Sequence, residues 1–205
     1  MAFEEYSVIY KRVSFEGISV DDFFAFAWKD YWSIAGAFTC EEIAAVRKEI
    51  VYKPANREIL IDFILDQITP EPFVLIRLLA DADNETAAAA QAIYDEIMAE
   101  LPVYHLSEII KKSDDLSSLS EEQLHALGKG YDPALRTEIH AFLLKLARYS
   151  KATSAQKQAA IISIGYISEP QHFNSVLEVF TQDASSEVIE LAQSMLEAGQ
   201  AVLHQ

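Results

Sequence analysis

A single cysteine, Cys40, stands in this chain of 205 residues, so an intramolecular disulfide is excluded and a thiolate metal cluster has no second sulfur. Glycine and proline are also scarce, six of each. So few turn residues argue against a strand-rich fold, while plentiful Ala, Leu, Ile and Glu in helical spacing predict an all-α chain. The opening residues, MAFEEYSVIYKRV, carry acid where a secretory signal needs a basic start, and no apolar run follows. No stretch approaches the roughly 18 apolar residues of a membrane span. The expected location is the cytoplasm, with no membrane partner.

Positive charge is the other shortage. The formal charge is −16, Arg77 is the only basic residue between Glu58 and Glu108, and neither Lys nor Arg occurs from Gln158 to Gln205. Such a field repels phosphate backbones, which argues against nucleic-acid binding. It suits either solubility or a basic protein partner.

Helix starts are well marked. Thr39-Cys40-Glu41-Glu42, Ser120-Glu121-Glu122-Gln123 and Thr153-Ser154-Ala155-Gln156 fit the capping box, and Thr69-Pro70 and Asp132-Pro133 place a cap before a first-turn proline. Helices are expected near 20–36, 40–51, 56–68, 71–80, 85–99, 121–128, 133–149, 154–166, 171–181 and 186–203. The polar stretch from Lys111 to Ser118 reads as an exposed loop. An apparent repeat lays VLIRLLADADNETAAAAQA, from Val74, over VLEVFTQDASSEVIELAQS, from Val176, with Asp81/Asp183 and Ala90/Ala192 coinciding. The offset, 102 residues, is about three periods of 34, a spacing used by stacked helical hairpins. Asp81 and Asp183 are expected to cap inter-helix turns.

Residues 154–199, with Ala159, Ala160, Gly165, Pro170, Leu177, Asp183, Val188 and Ala192, and one hairpin at 70–99 resemble the HEAT-like repeat, particularly the short variant of phycobilisome lyase proteins. The resemblance implies one domain over 1–205, a right-handed α-solenoid of antiparallel hairpins (a HEAT-like or ARM-like superhelix), with a divergent aromatic-rich part over about 1–55. Its functional implication is a non-enzymatic adaptor or scaffold for another protein. The repeat subtype also admits a tetrapyrrole-binding or chromophore-transfer factor, and the charge admits an acidic immunity or inhibitor protein.

Motifs for chemistry are missing: no Gly-rich phosphate loop, no His-Glu-x-x-His, no Gly-x-Ser-x-Gly and no Cys-x-x-Cys. His105, His125, His140, His172 and His204 are scattered, so neither a metal nor a cofactor is expected. Two groups remain as candidate binding residues. On a helical wheel Phe23, Phe24, Trp28, Tyr31, Trp32, Ile34 and Phe38 cover about half the circumference, with Phe26 outside that arc. Trp28, Tyr31 and Trp32 are the interface candidates there. Asp62, Asp66, Asp95 and Glu96 lie where basic residues are fewest and would attract a basic partner.

Overall fold

The computed structural model describes residues 7–40, 47–54, 58–79 and 81–203. The chain divides into two compact units, Met1–Tyr104 and His105–Gln205.

The first unit contains a sheet, which overturns the all-α solenoid. Its described elements are β1 (Ser7–Ser14), α1 (Val20–Lys29), β2 (Ser33–Cys40), β3 (Arg47–Lys53), β4 (Ile59–Asp66), β5 (Phe73–Leu79) and α2 (Asn84–Glu100). Among the described residues the strands form one antiparallel sheet in the order β1-β5-β4-β3-β2. The helices expected at 40–51, 56–68 and 71–80 are therefore largely β3, β4 and β5. Thr39 and Cys40 end a strand instead of capping a helix, and Thr69-Pro70 lies between β4 and β5. Residues 41–46, which complete that expected cap, lie outside the described residues.

The physical reason is burial on both faces. In β4, Ile59, Ile61 and Phe63 point into the core that packs under the helices, yet Leu60, Asp62 and Ile64 on the other face are buried as well. A strand covered on both sides loses the apolar/polar alternation that identifies it and reads as a continuous apolar run. The local composition agrees with strand: Ile50-Val51-Tyr52, Ile59, Ile61, Phe63, Ile64 and Phe73-Val74-Leu75-Ile76 are β-branched or aromatic almost throughout.

The helix-side core is aromatic. Phe23 of α1 stacks on Phe63 at 4.7 Å and meets Tyr52, Phe15, Phe26 and Trp32 at 5.4 to 6.4 Å between ring centres. Burial of each such side chain contributes about 1.5–3 kcal/mol. A capping box starts α1: Ser19 Oγ accepts the Asp22 N–H at 3.1 Å, and the Asp22 carboxylate accepts the Ser19 N–H at 3.0 Å. The Ser19 hydroxyl, which donates to the same carboxylate at 2.6 Å, and then the Ser19 N–H hold the Asp22 carboxyl below its usual range.

The second unit is helical among its described residues: α3 (Leu106–Lys111), α4 (Glu121–Lys129), α5 (Arg136–Ala147), α6 (Ser154–Gly165), α7 (Asn174–Phe180) and α8 (Ser186–Leu203), with short 3₁₀ turns between. Here the expected helices and caps are present. Ser120 and Thr153 both form capping boxes, and Asp132 accepts the Ala134 N–H at 2.9 Å. The segment expected as an exposed loop, 111–118, is exposed at most positions but forms two 3₁₀ turns, with Leu116 buried. Gln156 fixes that segment by donating to the Leu119 and Leu116 carbonyls at 2.8 and 3.3 Å. Helices α4 and α6 touch backbone to backbone, since a Cβ on Gly128 would lie 1.9 Å from the Ser163 carbonyl oxygen.

The apparent repeat fails on this evidence: Val74 lies in strand β5, whereas Val176 lies in a helix. Only the turn and the following helix are alike, and in the first copy the cap is Asp83, which accepts the Thr86 N–H at 2.8 Å, rather than Asp81. Asp183 does occupy its turn, accepting the Ser185 N–H at 3.0 Å and the Lys157 ammonium at 2.5 Å.

Candidate functional site: an aromatic and acidic surface on the first unit

The helical wheel drawn over 20–38 assumes one long helix, but α1 ends at Lys29. Its inner side is Phe23, Phe26 and Ala27, so Phe26 belongs to the core although the longer wheel sets it apart. The outer side carries Phe24 and Trp28, four residues apart and stacked at 6.1 Å, 43% and 63% exposed. Trp32 is 6% exposed and packs edge-on against Phe26, so it is a core residue rather than a contact. Ile34 and Phe38 are in strand β2.

Tyr31 sits between, 80% exposed, at the point where α1 turns into β2. Its φ is +56°, the left-handed conformation, and among the described residues no other non-glycine residue adopts it. The Trp32 N–H bonds the Ala27 carbonyl and the Tyr31 N–H bonds the Trp28 carbonyl, both at 3.1 Å. That is the Schellman ending of a helix, whose left-handed residue is usually glycine because a Cβ costs about 1–2 kcal/mol there. A bulky side chain is held at the strained position and delivered to solvent.

Beside it lies a cleft of about 320 Å³ lined by Asp30, Trp32, Pro54, Ala89, Ala92, Ile93 and Glu96. Burial raises the Glu96 carboxyl above its usual range, and the neighbouring Asp30 and Glu100 carboxylates add to the shift. Lys29 does not neutralise the cleft fully, because its ammonium bonds Glu100 at 2.6 Å. Two carboxylates beside an aromatic wall are arranged to accept an ammonium or guanidinium group.

The remaining candidates scatter. Asp95 is exposed and accepts from Gln91 at 2.9 Å, one helix position from Glu96. Asp66 ends β4, and its carboxylate accepts the Ile68 N–H at 2.7 Å. Asp62 is 0% exposed and lies 2.5 Å from Arg77 Nε, with Glu49 3.5 Å from the same guanidinium. The Arg77 N–H is not aligned on the carboxylate, so this is a contact of charge within the sheet. Asp62 therefore offers no surface charge. The expected attraction of a basic partner does not extend to Asp62, which the strand turns inward.

Phe24 belongs to the aromatic arc read from the sequence but is not among its contact candidates, and Asp30 is in neither candidate group. Phe24 was detectable from its four-residue spacing to Trp28, and Asp30 from its position after the last turn of an amphipathic helix. The left-handed Tyr31 has no local sequence signal.

Among the described residues no three His, Cys, Asp or Glu side chains gather as a metal site, and no helix is long and apolar enough to cross a membrane. In the second unit His140 Nε2 lies 2.9 Å from Ser175 Oγ, which ties α5 to α7. Comparison with known protein families, curated proteins and solved structures finds no match to this chain.

Proposed function

We propose that the chain is a non-enzymatic interaction protein that receives a basic protein partner on the outer face of α1 and the adjoining acidic cleft. The observation that carries this reading is Tyr31, a bulky aromatic kept in a left-handed conformation with four-fifths of its surface in water. Strain of this kind persists where the side chain has work to do outside the fold. Tyr and Trp are the residues that most often anchor protein interfaces, and Phe24 and Trp28 extend the same surface. The first unit contributes the electrostatics, with 19 acidic against 8 basic residues.

The test is affinity capture from the native host with three baits: the wild-type chain, Trp28→Ala and Tyr31→Gly. The expected result is a basic protein retained by the wild type and lost from both variants, with retention falling as salt rises. A set of captured proteins that is identical for all three baits removes the proposal.

A further inference from the structure

The cleft of about 320 Å³ in the first unit is walled by Trp32, Pro54 and the apolar flank of α2, and its titratable side chains are Asp30 and Glu96. Asp30 follows the last residue of α1, Glu96 belongs to α2, and their carboxyl groups come within hydrogen-bonding reach. Two carboxylates in contact against an apolar wall do not ionise independently: either a cation joins them or one keeps a proton. Burial, then the Asp30 and Glu100 charges, then the Asp30 hydrogen bond favour the protonated form of Glu96, and they outweigh the opposing Lys29 ammonium. Lys29 is bound instead to Glu100, one turn along α2, at 2.6 Å. Asp95, next to Glu96, accepts from Gln91. What the pair lacks is a cation of its own.

We propose, resting on the basic-partner reading above, that the cleft exchanges a proton for a cation: one ammonium or guanidinium group of the partner enters between Asp30 and Glu96, and the proton held there leaves to solvent. The volume lies at the small end of ligand sites, about 300–1,000 Å³, and admits one side chain rather than a length of chain. The cation binds the ionised pair, so protonation of Glu96 competes with it. Binding is therefore tight where Glu96 is ionised and weakens as pH falls through the raised Glu96 value. The partner's hold on this cleft is thus released by acid, while the contacts of Phe24, Trp28 and Tyr31 are made outside it.

The test is a nuclear magnetic resonance titration of the full chain with a blocked peptide carrying a single arginine, acetyl-Gly-Arg-Gly-amide, read at the amides of α2. The apparent dissociation constant rises at least about threefold from about pH 7 to about pH 5, a range in which an ordinary glutamate, near about 4.3, changes little. In Glu96→Gln that rise is lost. The carboxyl carbon of Glu96 gives a reading that needs no variant: its titration midpoint moves down when the peptide saturates the chain. A dissociation constant equal at both pH values overturns the inference, as does a rise that persists in Glu96→Gln, a midpoint the peptide leaves unmoved, or a peptide that shifts no α2 amide. The capture experiment judges the basic-partner reading separately, through Trp28→Ala and Tyr31→Gly, which leave both carboxylates in place.

Discussion

The two units differ in their residues, 16 of the 22 aromatics lying in the first, and solve burial in different ways. In the helical unit the apolar residues recur at helical spacing and the caps are in place, so α4, α6 and α8 form where local preference puts them. In the first unit β4 and β5 are buried on both faces, and what decides their conformation is strand pairing, of β4 with its neighbours β3 and β5 and of β5 also with the distant β1. Local reasoning therefore succeeds for residues 121–203 and fails for the described strands β3, β4 and β5. The difference teaches that an apolar run without periodicity has to be judged by β-branched and aromatic content, not by its compatibility with a helix.

The largest effect expected is that of Phe23→Ala, which removes the hub of five ring contacts in the first unit. The loss is about 3–5 kcal/mol. Trp28 and Trp32, the only tryptophans, both lie in this unit, so denaturant unfolding followed by tryptophan fluorescence reads it directly. A shift below about 1 kcal/mol would mean that the aromatic cluster does not organise the sheet.

Gly128→Ala is the counterpart in the helical unit. The added methyl meets the Ser163 backbone at a distance no relaxation of a side chain can relieve, and the expected cost is about 3 kcal/mol. Hydrogen exchange at the amides of α4 and α6 measures it. Wild-type protection there would contradict the close crossing of those helices.

Asp183 in the second unit and Glu96 in the first are shifted in opposite directions. For Asp183, burial opposes ionisation, but the Lys157 ammonium and the Ser185 and Ala184 N–H groups outweigh it and hold the carboxyl below its usual range. The stability it contributes is present above the ordinary carboxylate value and is lost as pH falls through the lowered one. Both side chains of this pair are about one-tenth exposed, 11% and 10%. Lys157→Met leaves Asp183 buried without its cation, at a cost of about 2–3 kcal/mol near neutrality that shrinks in acid. Glu96 behaves oppositely. Its raised carboxyl favours the folded state below the ordinary carboxylate value, and that contribution disappears as pH rises through the raised value. Glu96→Gln flattens this limb of the melting profile. An unchanged pH dependence in either variant would remove the assignment for that unit.

The candidate site was partly legible. Trp28 and Glu96 were identifiable because exposure and acidity follow from local helix geometry, which α1 and α2 obey. Trp32 and Asp62 were misplaced for one reason: each belongs to, or borders, a strand whose inward direction is set by the sheet. Tyr31 was chosen as part of a helical stripe, whereas its position results from the chain reversing after Lys29. The strain there became visible only in three dimensions.

Tyr31→Gly therefore tests the central claim most directly, because stability and binding should move in opposite directions. Glycine occupies the left-handed position without the Cβ penalty, so the unfolding midpoint should rise, by about 1 kcal/mol in stability, while affinity for the captured basic partner falls at least about tenfold. A Tyr31→Gly chain that binds that partner as tightly as the wild type, whatever its stability, would contradict the account.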